Sequence, residues 1–250
     1  MTTNIKIPTY RSTLDGLLTV PEGASALVLF VHGSGSSRHS PRNQALARAL
    51  NDAGLATLLF DLLTPEEETV DRFTANYRFD IRLLSKRLLD VTNWVKSQGI
   101  DAATDWAMSG GFGDNFGDNI GGISEMPIGY FASCTGAAAA LVVAAERPQD
   151  VCAVVCRGGR PDLAGAALAR VQAPTLLIVG GYDHSVIALN EAASKRLSCE
   201  VELKVVPGAT HLFEEPGALE QVAKLAADWF VDKLEIDPEI VIHRRRGAAG

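Results

Sequence analysis

Tyr130-Phe131-Ala132-Ser133-Cys134-Thr135-Gly136-Ala137 joins an apolar run, Pro127 to Phe131, to an alanine-rich run, Ala137 to Ala145. The pattern predicts a strand, a sharp turn and a helix. Strand and helix backbones crowd at such a turn, so a residue held at its tip needs small neighbours two before and two after it. Cys134 has them in Ala132 and Gly136, whereas Ser133 would put Phe131 and Thr135 in the crowded positions. Cys134 is therefore the candidate nucleophile, at the start of a helix whose N–H groups and dipole favour a thiolate.

Working outward, Leu27 to Val31 and Leu55 to Phe60 are continuous apolar runs of the kind found in strands buried on both faces. The first ends at the loop His32-Gly33-Ser34-Gly35-Ser36 and the second at Asp61. Between them Leu46, Ala49, Leu50 and Ala53 mark a helix over Pro41 to Ala53, stopped by Gly54. Ile5 to Ile7 and Leu14 to Val20 suit an antiparallel edge pair. Leu62 to Tyr77 reads as acidic and irregular, after which Ile81, Leu84, Leu88, Val91 and Val95 mark a long amphipathic helix ending at Gly99. Beyond the central turn, Val151 to Cys156, Thr175 to Val179 and Val201 to Val206 read as strands. Helical runs lie near Leu163 to Arg170, Val186 to Leu197 and Leu219 to Leu234. The alternation predicts a mainly parallel sheet with helices on both faces and its chemistry at the C-terminal edge of the strands.

At 250 residues and 47% hydrophobic content, the chain suits one α/β domain spanning residues 1–250. A glycine-rich stretch, Ser109 to Gly122, carries Phe-Gly-Asp-Asn twice and reads as an insert. It precedes the Cys134 strand, so it enters at the sheet edge opposite the candidate nucleophile. It is expected to be a mobile loop or a self-association contact through Phe112 and Phe116. Residues 236–250, with Arg244-Arg245-Arg246, are expected to form a flexible tail. A net charge of -7 and a pI near 5.3 argue against a nucleic-acid partner. The longest apolar stretch is about half the 20 residues that a membrane span needs, and no charged-then-apolar leader pattern opens the chain. Cys134, Cys152, Cys156 and Cys199 match neither a disulfide framework nor a zinc knuckle, which leads to the expectation of a reducing, cytoplasmic setting.

A nucleophile needs a base, and the base needs an orienting acid. Asp183 lies just past the run Leu176 to Val179, and His211 just past Val205-Val206. All three groups thus fall at the C-terminal ends of strands, in the order nucleophile, acid, histidine. Competing motifs fail on spacing. Gly33 to Arg38 lacks the third glycine of a dinucleotide fingerprint and no G-K-[ST] follows it. Asp114, Asn115, Asp118 and Asn119 repeat every four residues, unlike a calcium loop. No metal and no cofactor are expected. Arg72, Tyr77 and Arg78, with Arg157 and Arg160, leave the C-terminal edge on two loops that can reach a small-molecule substrate. Pairing of the arginines to Asp71, Asp80 or Asp162 is the competing reading. If Arg78 and Arg160 do face the substrate, anionic acyl groups are the expected preference. Cys152 and Cys156 alternate with valines and read as core.

Ala132-Ser133-Cys134-Thr135-Gly136 is a G-x-S-x-G elbow with a thiol at its centre. With that elbow and the order Cys134, Asp183, His211, the chain resembles the α/β-hydrolase superfamily over roughly Ile5 to Leu234. Without a large cap, it is similar to the dienelactone hydrolase-like family. The resemblance implies an eight-stranded, mainly parallel sheet, no cofactor, and hydrolysis of an ester or related acyl bond. A cysteine nucleophile is itself a feature of dienelactone hydrolases. Ala132 in place of the first elbow glycine, and the insert, depart from the pattern. In this scheme His211 takes the thiol proton and Asp183 fixes its tautomer. The Thr135 N–H supplies one oxyanion donor, and Ser34 resembles the other. His32 holds the loop. Hydrolysis, acyl transfer to another acceptor, and a silent binding protein on the same scaffold remain open at this point.

Overall fold

Residues 2–33, 36–97, 100–101 and 122–236 are described by the computed structural model. Eight strands form one sheet in the order β1-β2-β4-β3-β5-β6-β7-β8. They are β1 (Thr2–Pro8), β2 (Thr13–Thr19), β3 (Leu27–Val31), β4 (Ala56–Phe60), β5 (Ile128–Cys134), β6 (Val151–Gly159), β7 (Thr175–Gly180) and β8 (Val201–Val206). Only β2 runs against the rest, pairing antiparallel with β1 on one side and with β4 on the other. From β4 to β8 the sheet is parallel. The eight-stranded expectation therefore holds, with every C-terminal strand end from β3 to β8 on one edge.

Helices cover both faces because alternate residues of the central strands are apolar on both sides. Helices α3 (Ile81–Lys96) and α4 (Gly136–Glu146) pack on the face presented by Leu29, Tyr130, Ala132, Val154 and Cys156. Helices α1 (Pro41–Asp52) and α6 (Ala218–Lys233) pack on the face presented by Phe30, Phe131, Val155 and Ile178. The fully buried Tyr130 hydroxyl meets Thr92 of α3 at 2.7 Å, which satisfies a polar group that burial would otherwise penalise.

Two segments differ from the sequence reading. Pro65–Thr74, expected to be irregular, is helix α2. Its acidic run is an N-terminal cap: Thr64 accepts from the Glu67 N–H, and Glu67 accepts from the Thr64 N–H at 2.9 Å. Pro65 opens the first turn, where its missing donor costs nothing. Pro161–Arg170 is a 3₁₀ segment interrupted at Gly165 (φ 56°) rather than an α-helix. The link between β6 and β7 stays short, so no large cap stands over the strand ends there. Helix α5 (His184–Ser194) starts directly after Asp183. Ile236, placed in the tail by the sequence, is buried with the α6 face. The insert from 109 to 121, the tail from 237 and Ser34 lie outside the described residues.

Candidate active site

Cys134 ends β5 with φ at 51°, a left-handed conformation that few non-glycine residues adopt. Two residues on, helix α4 begins at Gly136. A methyl group on Gly136 would sit 2.1 Å from the Val31 carbonyl oxygen, so only glycine lets α4 cross the end of β3. Ala132, two residues before Cys134, is fully buried and pairs with Val31 on one side and Cys156 on the other. Alanine therefore fits where the family elbow carries glycine. Thr135 is buried and adjoins Gly33: a Cβ on Gly33 would lie 2.8 Å from the Cys134 Cβ and 3.3 Å from its Sγ. The glycine loop after β3 and the elbow thus close on one another around the sulfur.

The expected acid and base meet on the same edge. His211 Nδ1 is 2.6 Å from Asp183 Oδ2, joining the loop after β8 to the residue that precedes α5. Asp183 is largely shielded while the His211 side chain is 46% exposed. The end of β6 ties this pair to the elbow. Gly159 is the register partner of Cys134, and a Cβ on Gly158 would lie 3.5 Å from His211 Cε1. Gly158 itself has φ at 52°. The Cys134 carbonyl accepts from the Arg160 N–H at 2.9 Å, and Asn190 of α5 donates to the Gly159 carbonyl at 3.1 Å. Among the described residues no hydrogen bond joins Cys134 to His211, as is common before a substrate draws the two together.

A second network, which the sequence reading reached only through His32, holds the glycine loop. His32 Nδ1 lies 3.1 Å from the Gly33 carbonyl oxygen and Nε2 lies 3.0 Å from Asp61 Oδ1. Asp61 also accepts from the Arg38 backbone N–H at 2.8 Å and from the Arg38 guanidinium. Burial raises the Asp61 carboxyl, but His32 and Arg38 together outweigh it and hold the group below its usual range. A depressed carboxylate stabilises the fold above its unfolded pKa, and that contribution disappears as pH falls through the folded value. Asp61→Asn is accordingly expected to lower stability by about 1 kcal/mol or more at pH 7. Urea unfolding at pH 7 and near pH 3 should show that deficit shrinking in acid. The sequence signal for Asp61 was its place as the polar residue closing a buried strand.

The edge arginines divide sharply. Arg78 donates from Nε to the buried Asp71 at 2.8 Å, and Asp71 also accepts from the Tyr77 and Arg78 backbone. Arg160 grips Asp162 through two 2.8 Å bonds. Arg72 is exposed in the last turn of α2. Arg157 is buried, with Nε and Nη1 lacking a partner among the described residues. No trio of metal-ligating side chains clusters among the described residues, and none of their helices is long and apolar enough to cross a membrane.

Comparison with known proteins agrees with this fold. Est1E from Butyrivibrio proteoclasticus shares the fold at 15% identity, with a TM-score of 0.67 over 93% of this chain and 99% of that one. Two curated sequences from Mycobacterium tuberculosis, both provisionally named phosphoribosyl transferase, are 55% identical over 219 residues. That match takes in 88% of this chain and 44% of theirs, so the chain spans under half the length of those relatives. The crystal structure of a dienelactone hydrolase from Anabaena variabilis is 48% identical, with a TM-score of 0.81 over 93% of this chain and 98% of that one. The Dienelactone hydrolase family model matches residues 113–236, which include the elbow, Asp183 and His211. With that identity carried across almost the whole length of both proteins, the chain belongs to the dienelactone hydrolase family.

Proposed function

We propose that the chain hydrolyses a carboxylic ester, or a related acyl bond, of a small molecule through Cys134, His211 and Asp183. The observation that carries this reading is the 2.6 Å His211–Asp183 pair on the same strand edge as a cysteine held at φ 51°. In the proposed cycle His211 takes the thiol proton as sulfur attacks the acyl carbon, then returns it to the departing alcohol. Water, activated by the same imidazole, cleaves the thioester. The Thr135 N–H is one oxyanion donor, and Ser34 is assigned as the other. An acceptor other than water would turn the same intermediate to acyl transfer, and product analysis with added alcohols, amines or thiols separates the two. The transferase name of the mycobacterial relatives belongs to proteins of which this chain matches less than half, and the elbow supports acyl chemistry instead.

Mild alkylation with peptide mapping tests the nucleophile. Cys134 is expected to be labelled first, in step with loss of esterase turnover. Burial pushes the Cys156 thiol up to about 12 and raises that of Cys199, so neither should compete near neutral pH. Equal labelling of Cys134, Cys152, Cys156 and Cys199 in the folded protein would defeat the assignment.

A further inference from the structure

Thr135 follows the candidate nucleophile and stands at the N-cap of α4, where a threonine hydroxyl ordinarily accepts a hydrogen bond from the first turn. It makes no such bond here. The residue has helical backbone angles (φ -68°, ψ -23°), and its hydroxyl lies against the glycine loop instead. A Cβ built on Gly33 would be 3.4 Å from Thr135 Oγ1 and 3.3 Å from Cys134 Sγ, so hydroxyl and sulfur border the same glycine. Thr135 is 1% exposed, and Oγ1 has no hydrogen-bond partner among the described residues. A buried hydroxyl without a partner is costly, and such a group points to an acceptor that appears in another state of the site. The neighbouring sulfur supplies one. A thiol is a weak acceptor, whereas a thiolate accepts strongly and the hydroxyl hydrogen can turn to meet it.

We propose that the Thr135 hydroxyl is the donor that stabilises the ionised Cys134 sulfur, unpartnered while the thiol is neutral and satisfied once the proton has left. The inference rests on the reading of Cys134 as nucleophile, and it adds a side-chain role to the backbone N–H of the same residue. No covalent bond changes at Thr135: the thiol proton passes to His211, and the hydroxyl keeps its own. The titratable groups around the sulfur are His211 with Asp183, His32 at the foot of the glycine loop, and Arg157 and Arg160, whose charges both attract it. All of them are retained when Thr135 is changed, so the comparison isolates the hydroxyl. A hydroxyl that merely filled space would be replaced by valine without effect on the sulfur, since the two side chains have nearly the same shape.

The experiment measures the rate at which iodoacetamide, an uncharged reagent, alkylates Cys134 across a range of pH. Peptide mass spectrometry follows the reaction in the unmodified protein and in Thr135→Val, Thr135→Ala and Thr135→Ser. In the valine and alanine variants the midpoint of the pH profile is expected to rise by about one pH unit, the effect of losing one hydrogen bond to a charged group. The limiting rate at high pH should not fall, because a less stabilised thiolate is the better nucleophile. Thr135→Ser should keep the original midpoint. Either of the first two variants suffices if the other does not fold. An unshifted midpoint overturns the proposal whatever happens to Tm, and so does a serine variant displaced as far as the valine one. Cys134 that stays unlabelled in the unmodified protein overturns the nucleophile reading, and this inference with it. A reactive Cys134 whose midpoint ignores Thr135 defeats the role of the hydroxyl alone.

Discussion

His211→Ala is expected to lower kcat for ester hydrolysis by ~10²–10⁴-fold, the range supplied by general acid–base catalysis, with little change in Tm. The two halves of that expectation come from the same geometry. The imidazole is half exposed and its hydrogen bond is to Asp183, so the core loses nothing when it is cut back to a methyl group. The chemistry, in contrast, loses both the acceptor of the thiol proton and the donor to the leaving group. Steady-state kinetics on a chromogenic ester, alongside thermal melting, reads the two separately. Wild-type turnover in the variant would remove His211 from the mechanism, and a large drop in Tm would mean that its role is structural.

Gly136→Ala reverses that pattern, with the fold taking the loss. The new methyl group would meet the Val31 carbonyl oxygen at 2.1 Å, a clash with backbone that no side-chain rotamer relieves. Overpacking of this kind costs about 3 kcal/mol or more, which corresponds to a fall in Tm of roughly 6–12 °C for a domain of this size. Gly165→Ala is the matched control. Gly165, unlike Gly136, sits at positive φ (56°, with ψ −126°), but a Cβ there meets nothing within 4 Å, so only backbone strain of about 1–2 kcal/mol applies. Differential scanning calorimetry of the two variants should show a clearly lower Tm for the first. Equal shifts would mean that α4 can slide away from β3.

Most of the scaffold was legible because local pattern and tertiary environment agree. Leu27–Val31 and Leu176–Val179 are apolar throughout and lie buried on both faces, as a parallel sheet requires. The tip of the turn could be placed at Cys134 because Ala132 and Gly136 flank it as the small residues that its close packing demands. Helix α2 was missed where a polar run carried a cap signal that outweighs its lack of apolar periodicity: Thr64, Pro65 and Glu67. Pairing to Asp71 and Asp162 was among the sequence readings for the edge arginines, but which of Arg78, Arg157 and Arg160 would be left out of it was not legible. It depends on which carboxylate each side chain can reach, and Asp71 and Asp162 lie within reach of only two of them.

The left-handed turn at Cys134 constrains the main chain and the Cβ, and the clearances at Gly136 and Ala132 concern backbone packing. None of them depends on whether sulfur or oxygen terminates the side chain. A lineage with this elbow can therefore exchange thiol for hydroxyl by a single codon change without rebuilding its scaffold. What separates the two nucleophiles is when the proton departs, since a thiol ionises within the pH range of living cells. If Cys134 is the nucleophile proposed above, the identity of its terminal atom is thus open to selection on reaction chemistry alone, uncoupled from the demands of folding.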